Sequence, residues 1–136
     1  MKYLLDTNIC IFWLRKQQTI VEKILNIGLA NCCISEITFA ELLFGEELAI
    51  MKGGNKYKKQ PLQEFLSKVS IIPIKPAIEL YAKEKARLQC AGTHITDDFD
   101  LLIACTSITN NLILITDNTK HFKNVTGIQL ENWMVR

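Results

Sequence analysis

The residues of this chain whose types and spacing suggest chemistry are its carboxylates. Asp6 follows the apolar run 2–5 (KYLL), and Glu41 lies early in a helical stretch after the short run 32–35 (CCIS). Asp97, Asp98 and Asp100 precede the apolar stretch 101–110, and Asp117 follows 112–115 (LILI). Small polar residues stand beside them: Thr7, Asn8, Thr38, Thr96, Thr116 and Asn118. Several carboxylates in one place repel and push one another's pKa values up. A divalent cation at the centre relieves that repulsion. With oxygen donors and no histidine or cysteine at ligand spacing, the cation should be hard, Mg2+ or Mn2+. Such an ion turns a bound water into a nucleophile and offsets charge on a phosphoryl group. In outline this is a site for cleaving phosphodiesters.

Each carboxylate also has a purely structural reading. Asp6 fits a turn after a strand. Thr38-x-x-Glu41 is a capping-box pattern, with Ile37 and Leu42 as its hydrophobic staple. Asp97 or Asp98 could cap the next helix, and Asp117-Asn118 could form an Asx turn. What favours the metal site is that all of them fall at element ends on one rim.

That rim follows from the elements. Short apolar runs at 2–5, 32–35, 70–74, 112–115 and 128–130 read as strands. Helical patterns occupy 9–14, 19–27, 35–51, 56–69, 76–89 and 100–110, with a helical turn at 118–122. Ile20, Ile24 and Ile27 share a face, as do Phe39, Leu42, Leu43 and Leu48. Gly28 suits a helix end, and Pro73 suits an edge strand or its last residue. Strands alternating with helices predict an α/β fold, with a mostly parallel sheet covered on both faces. In such sheets the functional crevice lies beyond the carboxyl ends of the strands.

Composition bounds the rest. At 136 residues, 49% hydrophobic and 22% charged, the chain reads as one globular domain spanning 1–136. Sixteen basic and 14 acidic residues leave a net charge of +2, so any nucleic-acid contact must come from a local patch. No apolar run approaches the ~18 residues of a membrane helix, and Asp6, Thr7 and Asn8 interrupt any signal-peptide core. Cys10, Cys32, Cys33, Cys90 and Cys105 are odd in number and lack a CxxC pair. They read as buried, reduced thiols of a cytoplasmic protein. Lys52, Lys56, Lys58 and Lys59 form one basic run, Lys83, Lys85 and Arg87 another, and Lys120 with Lys123 a third. The first follows a Gly-Gly break after the Glu41 helix and could border a cleft. Trp13, Phe44, Tyr57 and Trp133 read as core or interface residues.

The sequence resembles the PIN-domain ribonucleases, and in particular the VapC-type toxins of bacterial toxin–antitoxin modules. The resemblance is carried by LLDTNICIFWL at the start, ISEITFAELLFG (34–45), THITDDFDLLIAC (93–105) and LILITDNTKHFKNVTGIQLENW (112–133). It implies a PIN-like three-layer α/β/α fold with about five short strands. It implies that Asp6, Glu41 and Asp100 ligate the metal, with Asp117 in a fourth, more variable position. The loop THITDDFD is one residue longer than the usual spacing, and the resemblance favours Asp98 over Asp97 as a further ligand. Asn8 and Thr116 look like groups that orient Asp6 and the water. The activity implied is Mg2+-dependent hydrolysis of RNA, with tRNA the first expectation, leaving a 5′-phosphate and a 3′-hydroxyl. The partners implied are a cognate antitoxin and a second copy of the chain, docking on helices within 9–27, 36–51 and 55–68 through residues such as Phe12, Trp13 and Phe44. Lys52, Lys56, Lys58 and Lys59 are the expected RNA contacts. His94 reads as a solvated loop residue, and His121 is given no catalytic role.

Two other readings compete. An aspartate-based phosphotransferase or phosphatase would want Asp-x-Asp after the first strand, where Asn8 stands instead. A non-catalytic interaction module on the same fold would use the carboxylates as caps.

Overall fold

The computed structural model describes residues 1–93 and 97–134, so His94 and Thr96 lie outside the described residues. Among the described residues, five parallel strands form one sheet: β1 (Tyr3–Leu5), β2 (Cys32–Ser35), β3 (Ser70–Ile72), β4 (Ile113–Ile115) and β5 (Leu130–Glu131). Their order is β3-β2-β1-β4-β5. The chain therefore builds outward from β1 to one edge, then returns to β1 and builds toward the other. The reversal lies between β1 and β4, and the crevice of an open parallel sheet forms at such a switch point.

The helices are α1 (Thr7–Leu14), α2 (Gln18–Ile27), α3 (Glu36–Gly53), α4 (Gln60–Lys68), α5 (Ile78–Cys90), α6 (Asp98–Thr109) and α7 (Thr119–Phe122). They cover both faces of the sheet, because strand side chains alternate. Leu5, Ile34 and Ile115 point into a core with Ile9, Ile20, Ile24, Leu62 and Phe65 from α1, α2 and α4. Leu4, Cys33 and Leu114 point the other way, onto Leu88, Leu101, Ile103 and Phe122 from α5, α6 and α7. This is the three-layer α/β/α arrangement expected from the sequence.

Element ends follow local chemistry. Gly28 closes α2 with φ +95, a conformation that disfavours a side chain. Pro61 falls in the first turn of α4, which starts at Gln60 rather than near 56 because a 3-10 turn occupies Gly54–Lys56. Pro73 comes just after β3, an edge strand. The α6 helix starts two residues before the expected boundary, because the Asp97 side chain accepts from the Phe99 amide. The last strand begins at Leu130, two residues later than the sequence pattern placed it.

Two expectations about burial are corrected. Leu42 of α3 is buried, but Leu43 and Leu48 are not, and Phe44 and Met51 are more exposed still. The distal half of α3 extends beyond the core, so its apolar residues do not share a buried face. Cys10, Cys32, Cys33 and Cys105 are buried free thiols as expected, whereas Cys90, at the end of α5, is exposed. Among the described residues no helix is long and apolar enough to cross a membrane.

Candidate active site

Asp6 sits where β1 hands over to α1, beside the switch point. Its amide donates to the Ile115 carbonyl at 2.9 Å, extending the β1–β4 ladder by one residue. The side chain is 5% exposed. Oδ1 accepts from the Thr7 amide at 2.8 Å, which makes Asp6 the N-cap of α1. Oδ2 accepts from the Thr116 hydroxyl at 2.8 Å. Burial raises the pKa of Asp6, with Asp97 adding to the rise, and these outweigh the lowering by its hydrogen bonds and by His121.

Thr116 is the hub of this corner. It is fully buried at the end of β4, and its hydroxyl accepts from the Asn118 amide at 3.0 Å and from Asn8 Nδ2 at 3.4 Å. Asn8 Oδ1 in turn accepts from the Asp117 amide at 3.3 Å. Asn8 and Thr116 thus tie the α1 entry to the β4 exit, and Thr116 orients Asp6 directly. Asp117 Oδ1 accepts from Asn132 Nδ2 at 3.2 Å. The turn at 116–118 is held by the Thr116 hydroxyl, in the place where the sequence also allowed an Asx turn.

Glu41 reaches this corner from α3. Its Oε1 accepts from the Thr7 hydroxyl at 2.7 Å, and Thr38 Oγ1 stands 3.1 Å from that same hydroxyl. The capping-box reading is therefore overturned. The N-cap of α3 is Ser35, whose side chain accepts from the Ile37 amide at 2.9 Å, and Thr38 is a fully buried residue inside the helix. Desolvation raises the pKa of Glu41, opposed by the Thr7 bond and reinforced by Asp6 and Asp97.

Asp100 arrives on the first turn of α6, its side chain one-quarter exposed. Burial first, then the charges of Asp6, Asp97 and Glu41, push its pKa up to about 6. Asp6, Glu41 and Asp100 thus share one electrostatic neighbourhood, contributed by three elements far apart in sequence. His121 belongs to it too: Nδ1 lies 4.0 Å from Asp100 Oδ2. No spacing in the sequence pointed to it, since α7 approaches α6 only in the folded chain.

The expectation that Asp98 joins the cluster is corrected. Asp98 pairs with Lys85 Nζ at 2.8 Å and accepts from Tyr81 at 2.9 Å, so its carboxylate is committed to α5 and held below the usual range. Asp97 is exposed and its carboxylate caps α6, while its charge adds to the raised pKa of Asp6, Glu41 and Asp100. Of the lysines considered, Lys58 lines a cavity that Glu41 also lines. Lys52, Lys56 and Lys59 are exposed at the end of α3, in the turn after it and before α4.

The donor set is all oxygen, as a hard cation requires. Among the described residues, no three carboxyl, thiol or imidazole groups form a ready cage for one ion. Mg2+ keeps several of its waters and needs only one or two carboxylates together with substrate oxygens, so a full cage is not required of a site for it.

The PIN domain family profile matches residues 3–128. The tRNA(fMet)-specific endonuclease VapC of Shigella flexneri is 31% identical over 134 residues, covering 98% of each chain. Ribonuclease VapC2 of Rickettsia felis is 36% identical over 136 residues, again covering 98% of each. Among solved structures, VapBC2 from Rickettsia felis bound to a promoter DNA fragment superimposes with a TM-score of 0.84 at 32% identity, covering 98% of this chain and 100% of that one. DNA-bound VapBC from Salmonella typhimurium gives 0.83 at 28% identity, covering 98% and 99%.

Proposed function

This chain belongs to the PIN-domain family, and from that premise we propose that it is a VapC-type toxin, a metal-dependent endoribonuclease restrained by a cognate antitoxin. The observation that carries the reading is the convergence of Asp6, Glu41 and Asp100: Thr7 bonds both Asp6 and Glu41, and the charges of those two raise the pKa of Asp100. A divalent cation bound among them would offset that repulsion.

Asp6, Glu41 and Asp100 would hold Mg2+ or Mn2+ partly through the ion's own waters, with Asp97 and Asp117 close enough in the chain to add charge at its edge. When bound, the ion supplies a water of lowered pKa and offsets charge on the phosphodiester. The chain's own residues do the positioning. Thr116 fixes one oxygen of Asp6 and the Thr7 amide fixes the other, while the Thr7 hydroxyl aims Glu41. Asn8 holds the Asp117 backbone against the same corner. His121, half exposed beside Asp100, adds a polar group at the mouth. The expected products carry a 5′-phosphate and a 3′-hydroxyl.

The names of the Shigella and Salmonella relatives support tRNA as the substrate class. The solved VapBC complexes support an antitoxin partner. Surfaces for it and for a second copy are the cleft between α1, α2 and α4, which Trp13 and Phe65 line, and the exposed Phe44, Leu48 and Met51 of α3. A cytoplasmic location goes with that function.

The experiment is incubation of purified protein with total RNA in Mg2+ or in EDTA, with the cut ends mapped. Mg2+-dependent internal cuts bearing 5′-phosphates support the reading. Intact RNA under both conditions contradicts it.

A further inference from the structure

Glu46 lies five residues beyond Glu41 on α3 and is only 8% exposed. A carboxylate this buried is ordinarily paired. Among the described residues no cation pairs with it, and the hydrogen bond it receives, from the Tyr57 hydroxyl, is long at 3.4 Å. It lines a cavity of about 340 Å³ between α1, α3 and α4, and Glu41 lines the same cavity. The apolar part of the wall comes from Leu42, Pro61 and Leu62, and the exposed cations Arg15 and Lys58 border it. The size is at the small end of ligand pockets, suited to one nucleoside.

We propose that this cavity is a base-specific subsite that takes a guanine of the RNA strand, with the Glu46 carboxylate accepting from its N1–H and N2–H. The proposal rests on the nuclease reading above. An ionised carboxylate only accepts hydrogen bonds. Guanine presents two adjacent N–H donors on one edge, matching the two oxygens. Adenine and cytosine set a ring acceptor beside their single amine, and uracil flanks its N–H with carbonyls; each would face the carboxylate with a repelling lone pair. The apolar wall and the Tyr57 ring cover the base, as single-stranded bases are covered in RNA-binding proteins. Arg15 and Lys58 contact the neighbouring phosphates and fix the register without reading sequence. Because Glu41 belongs to both cavity and acidic cluster, the guanine is on a nucleotide next to the scissile phosphate. An arginine-bearing peptide would also satisfy Glu46, but the two bordering cations oppose it.

The test is cleavage of a randomised RNA pool by the full chain in Mg2+, with the cut ends sequenced. Wild type should favour guanine at one fixed position beside the cut by roughly 10- to 100-fold. Glu46→Gln should lower cutting at those sites by a similar factor and flatten the preference. Arg15→Gln should lower cutting at all sequences and keep the preference. Thermal melting checks that both variants are folded. Cleavage with no guanine preference, or a preference that survives Glu46→Gln, overturns the subsite and leaves the nuclease reading standing. So does a Glu46→Gln effect confined to capture of a co-expressed protein partner. If the pool is not cut at all, the nuclease reading fails by itself, and binding decides the subsite. Amide NMR shifts at Glu46 and Tyr57 with guanosine monophosphate and not uridine monophosphate uphold it. Equal or absent shifts overturn it.

Discussion

The Thr7 hydroxyl donates to the Glu41 carboxylate across 2.7 Å, joining the first turn of α1 to α3. The donor is neutral, so it fixes the direction of the carboxylate without cancelling its charge. A lysine or arginine there would have paired the acid and removed it from chemistry. Thr38, fully buried, stands 3.1 Å from the same hydroxyl and anchors it from below.

Removing that hydroxyl should therefore impair the site more than the fold. Thr7→Val keeps the shape and frees Glu41, and RNA cleavage should fall by roughly 10- to 100-fold, the scale for groups that orient metal ligands. Thr7→Ser should restore most of it. Steady-state cleavage rates of the three proteins decide; equal rates would mean that Thr7 does not aim Glu41.

Asp97 and Asp98 should behave oppositely despite their adjacency. Asp97→Asn keeps a good N-cap for α6 but removes a charge acting on Asp6, Glu41 and Asp100. Half-maximal cleavage should then require several-fold more Mg2+. Asp98→Asn breaks only an exposed pair with Lys85 and should leave the Mg2+ titration where it was. A shifted midpoint in Asp98→Asn and none in Asp97→Asn would reverse the assignment.

Glu84 is a structural acid, distinct from the cluster. It is 6% exposed, accepts from Arg87 Nε and Nη2 at 2.9 Å each and from the Thr126 amide at 3.1 Å, while Arg87 Nη2 also donates to the Asn124 carbonyl. This clamp pins the segment before β5 to α5. Arg87→Met should lower the midpoint of chemical denaturation, because it takes the charged partner from a buried carboxylate. The double variant Glu84→Gln, Arg87→Met should recover part of that loss.

The two kinds of acid give opposite pH dependences. Asp100 has its pKa raised from 3.8 to about 6, so the folded chain binds its proton more tightly than the unfolded chain. Metal-free protein should gain stability from this group as pH falls from above 6 toward 4, and lose it as pH rises through 6. Glu84 is lowered, chiefly by Arg87, so its contribution is present above the ordinary carboxylate pKa and is lost as acid protonates it. In EDTA the melting temperature should rise from pH 7.5 to about 5.5. Asp100→Asn should flatten that rise; an unchanged slope would show that Asp100 is not strained by its neighbours.

The sheet was legible because its strands are short apolar runs between strong helix signals, as at 32–35 and 112–115. Asp6 and Asp100 were legible as a group because each falls at a helix start after an apolar run or loop, while Glu41, six residues into α3, stood out through the motif it shares with the family. The N-cap of α3 was missed because Ser35 and Thr38 are both capping residues, and only three-dimensional packing showed that Thr38 is turned inward to Thr7. The exposure of Leu43 and Leu48 was hidden for a related reason. An apolar helical stripe looks the same in sequence whether it faces a core or protrudes past one. Asp97 and Asp98 were indistinguishable until the first residue of α6 was fixed. Glu46 gave no signal, since one glutamate in Glu46-Glu47 looks like the other until one is buried.

The central claim is that the convergent carboxylates make a metal-dependent RNA-cleaving site. It is tested most directly by measuring Mg2+-dependent cleavage of RNA by wild type and Asp6→Asn, alongside their metal-free melting temperatures. The substitution keeps the cap and the shape of the side chain while removing one negative oxygen donor. The account predicts a loss of cleavage of at least ~100-fold, with melting unchanged or raised as repulsion is relieved. Full cleavage by folded Asp6→Asn would contradict it.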